Sequence, residues 1–193
     1  DPTEGVILLD GRDIRDYNLE YLRQRIGYVP QDVFLFSDTV ENNITFGLDL
    51  LPEDGRDATY YARKAAVYDD IMDLPEGFQT RVGERGVTLS GGQKQRVSMA
   101  RAFMKEPDIY ILDDCLSAVD TSTENQILGY FNEMLSDHTT LVITHRIYAL
   151  LQFDKIIVLD QGEIVEEGIH SELLAMRGFY AKMYERQQLR EEE

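Results

Sequence analysis

Ile109-Tyr110-Ile111-Leu112-Asp113-Asp114 is the stretch that decides the fold. An unbroken apolar run suits a strand covered on both faces, the pattern of a parallel sheet flanked by helices. Its two terminal carboxylates then fall at the C-terminal edge of the strand, where ligands of open α/β sheets gather. Twin acids there suit Mg²⁺ binding and activation of water in phosphoryl transfer; a plain polar turn at a strand end would look similar.

Just upstream, Leu89-Ser90-Gly91-Gly92-Gln93 opens a run, Gly91 to Lys105, in which Val97, Ala100 and Phe103/Met104 recur at helical spacing. A serine and two glycines at a helix start make an anion site, with exposed N–H groups, a hydroxyl and the positive end of the helix dipole. Glycine lets the backbone itself approach a phosphate. Taken alone, the same residues also read as a simple serine cap.

Working outward, Thr121 and Glu124 predict a capping-box helix start, and Leu141-Val142-Ile143 predicts a second buried strand. Lys155 to Leu159 and Glu163 to Glu166 straddle Gln161-Gly162 as a hairpin, and Ser171 to Arg190 reads as helical. Toward the N-terminus, Val6 to Leu9 runs as a strand into Asp10-Gly11, and Ile26 to Val29 is a strand stopped by Pro30. Thr39 to Lys64 carries interrupted helical signals, with Pro52 and Gly55 marking a loop. Between Val33 and Met104 no buried parallel strand is legible, which predicts a helical subdomain. The expected fold is α/β, a parallel-sheet core divided as residues 1–32, 33–105 and 106–193.

The 193 residues suffice for a sizeable core, and 43% hydrophobic with 28% charged residues is ordinary for a globular protein. A net charge of −17 repels phosphate backbones and anionic membrane surfaces, so no nucleic-acid partner is expected. A single cysteine, Cys115, excludes an internal disulfide and suits a reducing compartment. Asn43-Ile44-Thr45 matches a glycosylation sequon and is read as chance. No apolar run approaches the roughly 20 residues that cross a bilayer, so direct membrane insertion by this chain is not expected.

Together, Leu89 to Gln93 and Ile109 to Asp114 resemble the signature and Walker B motifs of the ABC ATPases. Val29-Pro30-Gln31 resembles the Q-loop, Ser117-Ala118-Val119-Asp120 the D-loop, and Ile143-Thr144-His145-Arg146 the switch-histidine segment, all in the family's order. Val82-Gly83-Glu84-Arg85-Gly86 is similar to the X-loop of exporters; Phe34-Leu35-Phe36 and Thr39 to Ile44 are exporter-like too. The resemblance implies ATP and Mg²⁺ as cofactors, a second nucleotide-binding domain and a transmembrane domain as partners, and a place at the cytoplasmic face of a membrane. It implies that Asp113 orients Mg²⁺, that Gln31 touches the metal or attacking water, and that His145 contacts the γ-phosphate. Ser90, Gly91, Gly92 and Gln93 would bind the γ-phosphate of ATP held by the opposite subunit, and Asp120 would communicate across that interface.

Two departures stand out. No G-x-x-x-x-G-K-[ST] occurs in the sequence, which begins at a point that follows the Walker A helix in the family, so this chain alone is expected to bind ATP weakly. And Asp114 stands where most members carry the catalytic glutamate, one methylene short. The expected function is the ATP-hydrolysing motor of an exporter, with a weak site that suggests a heterodimer. The alternatives are a nucleotide-dependent regulatory clamp and a soluble ABC ATPase of DNA maintenance.

Overall fold

The computed structural model describes residues 2–48, 55–83, 86–134, 137–147 and 153–191. It divides into two units, residues 1–143 and 144–193, each taken by itself below.

The centre of the first unit is a three-stranded parallel sheet, β3 (Ile26–Val29), β4 (Ile109–Asp113) and β5 (Thr139–Ile143), in the spatial order β3-β4-β5. Ile26 pairs with Ile109, Val29 with Leu112 and Asp113 with Ile143, so all three strands point their C-terminal ends the same way. β3 stops immediately before Pro30, which cannot donate to a ladder. Ahead of the sheet, β1 (Leu8–Leu9) and β2 (Arg12–Asp13) form an antiparallel hairpin around Asp10-Gly11. Both turn residues have positive φ, the requirement of a tight primed turn. Helix α1 (Leu19–Gln24) follows, capped by the Asn18 side chain.

Between β3 and β4 the described chain is helical, as expected: α2 (Val40–Ile44), α3 (Ala58–Lys64), α4 (Tyr68–Met72) and α5 (Gly91–Met104). The predicted face of α5 is the buried one, with Val97, Ala100 and Phe103 fully enclosed and Met104 nearly so. Phe103 packs edge-on against Tyr110 of β4 and against Phe131 of α6 (Thr121–Met134). Gly27 lets this helix come close, since a Cβ there would sit 2.7 Å from the Pro107 ring and 3.3 Å from the Ala102 carbonyl oxygen.

The other face of the sheet differs from expectation. Tyr28, Leu141 and Ile143 are 53%, 53% and 49% exposed, and β4 alternates buried with half-buried residues. The apolar run of β4 therefore reflects a sheet covered by α5 and α6 on one side and left open on the other among the described residues. β5 is a strand, as predicted, but not a buried one.

Two helix boundaries also move. Helix α6 is capped by Asp120, whose side chain accepts from the Thr123 N–H at 3.0 Å, leaving Thr121 as the first helical residue and not the cap. In the second unit, β6 (Ile156–Asp160) and β7 (Glu163–Gly168) form the predicted hairpin about Gln161-Gly162. The helical stretch expected beyond it consists of two helices, α7 (His170–Met176) and α8 (Phe179–Glu191). Arg177 turns left-handed (φ 53°), and the Glu166 carboxylate of β7 accepts from the N–H groups of Phe179 and Tyr180, starting α8 afresh. This unit has its own core of Ile147, Ile156, Val158, Leu173 and Tyr180. Helix α8 carries the chain to Glu191, and residues 192–193 fall outside the described chain.

Candidate functional site: the start of helix α5 and the ends of the parallel strands

Helix α5 begins with a reciprocal cap. The Gln93 N–H donates to Ser90 Oγ at 3.2 Å, and the Ser90 N–H donates to Gln93 Oε1 at 2.9 Å. Oγ thus serves the cap with a lone pair and not with its proton, which stays available to a ligand. Ser90 and Gly91 are exposed, so the Gly91 N–H stands at the open start of a four-turn helix with the Ser90 hydroxyl beside it. The simple cap and the anion site are here the same geometry.

The two glycines differ in what they answer to. A Cβ on Gly92 would lie 2.6 Å from the Ala118 carbonyl oxygen, an impossible contact inside the chain. A Cβ on Gly91 would meet only the Ala118 Cβ at 3.7 Å, an ordinary one. Gly92 is required by the fold; Gly91 keeps the outer surface of the helix start bare.

Ala118 belongs to the Ser117-Ala118-Val119-Asp120 segment, and a buried side chain joins that segment to α5. Gln95, 5% exposed, donates to Ser117 Oγ at 3.1 Å and accepts from the Ala118 N–H at 3.2 Å. Asp120 is exposed; its hydrogen bond from Thr123 draws its carboxyl below the usual range and keeps it ionised. Sequence reading missed Gln95 because only its partners, not its spacing, mark it as a link.

At the strand ends, β4 delivers Asp113, half-buried, opposite Ile143 of β5. The Tyr28 hydroxyl stands 3.5 Å from Asp113 Oδ2, at the limit of hydrogen-bonding reach. Asp114 is no longer in the strand. It is left-handed (φ 45°), donates its N–H to the Ile143 carbonyl at 2.7 Å, and accepts at its own carbonyl from Ser117. The two acids are therefore separated by a backbone turn and not by simple strand alternation. Aspartate tolerates this conformation better than most residues. Cys115 beside them is buried, and burial pushes its thiol up to about 12, so it is no nucleophile.

Gln31 follows β3 by two residues and is exposed. Register brings the end of β3 beside the end of β4, so Gln31 and Asp113 leave the same edge of the sheet. His145 lies in the second unit, exposed, in a segment whose backbone is held by α8: Gln187 donates to the His145 carbonyl and accepts from the Ile147 N–H at 2.9 Å. No spacing in the sequence points to Gln187, forty residues downstream of Ile147.

The donor set at the strand ends is oxygen throughout: the Asp113 carboxylate and the Gln31 amide oxygen. Among the described residues no cluster of three or more His, Cys, Asp or Glu forms an all-protein metal cage. One carboxylate and one amide oxygen are donors that Mg²⁺ would accept, since it takes one or two carboxylates and leaves its other positions to water and phosphate. Asn43 of the sequon is fully buried, its side chain bonded to Phe36, Thr39 and Arg101, so the sequon is no glycosylation site in this fold.

Comparison with known proteins gives the family. The family described as ABC transporter matches residues 1–117. An ATP-dependent lipid A-core flippase of Methylobacillus flagellatus is 44% identical over 95% of this chain and 31% of its own length. Heavy metal tolerance factor 1 of Caenorhabditis elegans is 47% identical over 96% of this chain and 23% of its own. A solved bacterial Atm1-family ABC exporter with ATP bound is 45% identical, with a TM-score of 0.90 over 97% of this chain and 33% of its own. The chain thus spans a third or less of these relatives. The motifs in their order, the capped helix start locked to Ser117-Ala118 and these likenesses lead to one conclusion: the chain belongs to the ABC transporter family.

Proposed function

We propose that this chain is part of the ATP-binding motor of an ABC exporter, with ATP hydrolysis at a dimer interface coupled to export across a membrane. The observation that carries it is the start of α5, where Ser90 presents its hydroxyl proton and Gly91 its N–H outward while the chain itself satisfies the Ser90 and Gln93 N–H groups. Such a surface is made to close on a phosphate brought by another body, here the terminal phosphate of ATP held by the opposite subunit.

Asp113 and Gln31 would hold Mg²⁺, which when bound neutralises charge developing on the phosphates. Asp114 would orient the attacking water, Gln93 keeps Ser90 in place, and His145 would meet the γ-phosphate. Asp120, kept ionised and exposed, would face the partner across the interface. The groove lined by Val33, Phe34, Leu35, Ser37, Thr88 and Lys94 among others, about 520 Å³ in volume, mixes apolar and polar groups with one cation and suits docking by a transmembrane partner. The open sheet face at Tyr28, Leu141 and Ile143 suits packing by further parts of the whole protein. No helix among the described residues is long and apolar enough to cross a membrane. The likeness to exporters supports a place for this chain at the cytoplasmic face of a membrane, beside a transmembrane partner.

A second reading, a clamp that binds ATP with little turnover, is favoured at this subunit's own site by Asp114 alone. Its carboxylate is a methylene shorter than glutamate, and a displacement of about 1 Å can cost about a hundredfold in rate.

Mg²⁺-dependent ATP turnover of the full-length protein tests the proposal. Asp113→Asn is expected to lower turnover at this subunit's site by at least about a hundredfold, as expected for loss of a charge that holds the cation. Turnover within twofold of the parent would contradict it.

A further inference from the structure

On the side of α5 opposite Gln95, a second set of hydrogen bonds closes a ring around the helix start. Gln93 Nε2 donates to Asp70 Oδ1 at 2.9 Å, and Arg96 Nη1 donates to Asp70 Oδ2 at 2.7 Å. Arg96 Nε returns to the Gly92 carbonyl at 3.3 Å, and Nη1 also reaches the Ala66 carbonyl. The ring therefore runs from the Ser90 N–H through Gln93, Asp70 and Arg96 to the Gly92 backbone. Asp70 sits on α4, outside every motif quoted above.

The chemistry of the ring is directional. A glutamine amide has one accepting end and one donating end, and the Ser90 cap needs the accepting end. An ionised carboxylate only accepts, so Asp70 demands the donating end of Gln93 and leaves Oε1 turned to Ser90. The Arg96 side chain, 12% exposed, fixes the carboxylate with a charge-assisted bond. Asp70 thereby decides which way Gln93 faces, and Gln93 decides whether Ser90 is held with its hydroxyl proton outward.

We propose that Asp70 is a positioning residue for the phosphate-facing Ser90, acting through the orientation of the Gln93 amide. The inference rests on the proposal that Ser90 binds phosphate. It touches no reacting atom itself, so its loss should weaken nucleotide engagement at every stage more than it slows the chemical step.

The test is an ATP titration of turnover in the full-length protein, with Asp70→Ala, Asp70→Asn and Ser90→Arg measured beside the parent, and melting temperatures recorded for each. Asp70→Ala is expected to raise the ATP concentration at half-maximal turnover about fivefold, the equivalent of ~1 kcal/mol, with maximal turnover within about twofold. Asp70→Asn keeps an accepting oxygen for Gln93, so it should recover at least half of that shift; it also decides the matter if the alanine variant does not fold. If Ser90→Arg abolishes turnover while both Asp70 variants only lower the melting temperature, the ring is structural and the Asp70 proposal is overturned. If Ser90→Arg leaves turnover intact, the phosphate reading of Ser90 fails, and the role of Asp70 fails with it.

Discussion

The start of α5 and the end of β4 carry the two motifs from which the fold was read, and they are built in opposite ways. Around Ser90, polar groups on the inward side are answered from within the chain by Gln93, Gln95, Asp70 and Arg96. Around Asp113, the carboxylate has one long contact to Tyr28 and stands at the margin of an open apolar sheet face. The first region is a finished surface awaiting a ligand from outside. On the proposed reading, the second is one side of a site completed by groups beyond these residues. A subunit would then be complete where it serves its partner and depend on additional structure where it serves itself.

The largest effect that would sharpen this contrast is on stability. Gly92→Ala drives a methyl into the Ala118 carbonyl and should cost about 2 kcal/mol, read as a lowered melting temperature or denaturation midpoint. Its neighbour should behave differently: Gly91→Ala has room and should leave stability unchanged within about 0.5 kcal/mol while lowering ATP turnover of the full-length protein. Equal destabilisation by both would erase the division between an inward and an outward glycine.

At the other end, Asp114→Glu restores the reach of the family's glutamate and should raise turnover at this subunit's own site about tenfold, less than the roughly hundredfold a full 1 Å error can cost. The left-handed backbone at Asp114 favours aspartate, so a small loss of stability should accompany the gain. The measurement needs the partner's site inactivated and an intact partner helix start; no gain under those conditions would remove Asp114 as the defect of this site.

Much of this was legible in the sequence because it rests on local rules. The spacing of Val97, Ala100 and Phe103 marked the buried face of α5, Asp10-Gly11 marked a turn and Gln161-Gly162 a hairpin, and both turns need positive φ. The motif order singled out Ser90, Asp113 and Gln31, whose roles remain proposals for experiment to test. What stayed hidden depends on partners distant in the chain. Asp70 and Gln93 are separated by 23 residues and Gln187 and Ile147 by 40, and no periodicity links them. The break at Arg177-Gly178 depends on Glu166 of β7, thirteen residues before the N–H it caps. The openness of the sheet was hidden because an apolar strand reads alike whether its second face is covered by its own chain or by another.

Site-resolved nucleotide trapping in the assembled dimer addresses the central claim most directly. One subunit carries Ser90→Arg, the other does not, and the amount of nucleotide trapped is measured at each ATP site separately. A bulky cation at the start of α5 should prevent closure on the phosphate held by the opposite subunit, so trapping should be lost mainly at the site of the unaltered partner. Loss confined to the altered subunit's own site would contradict the account, because Ser90 would then serve the chain that carries it.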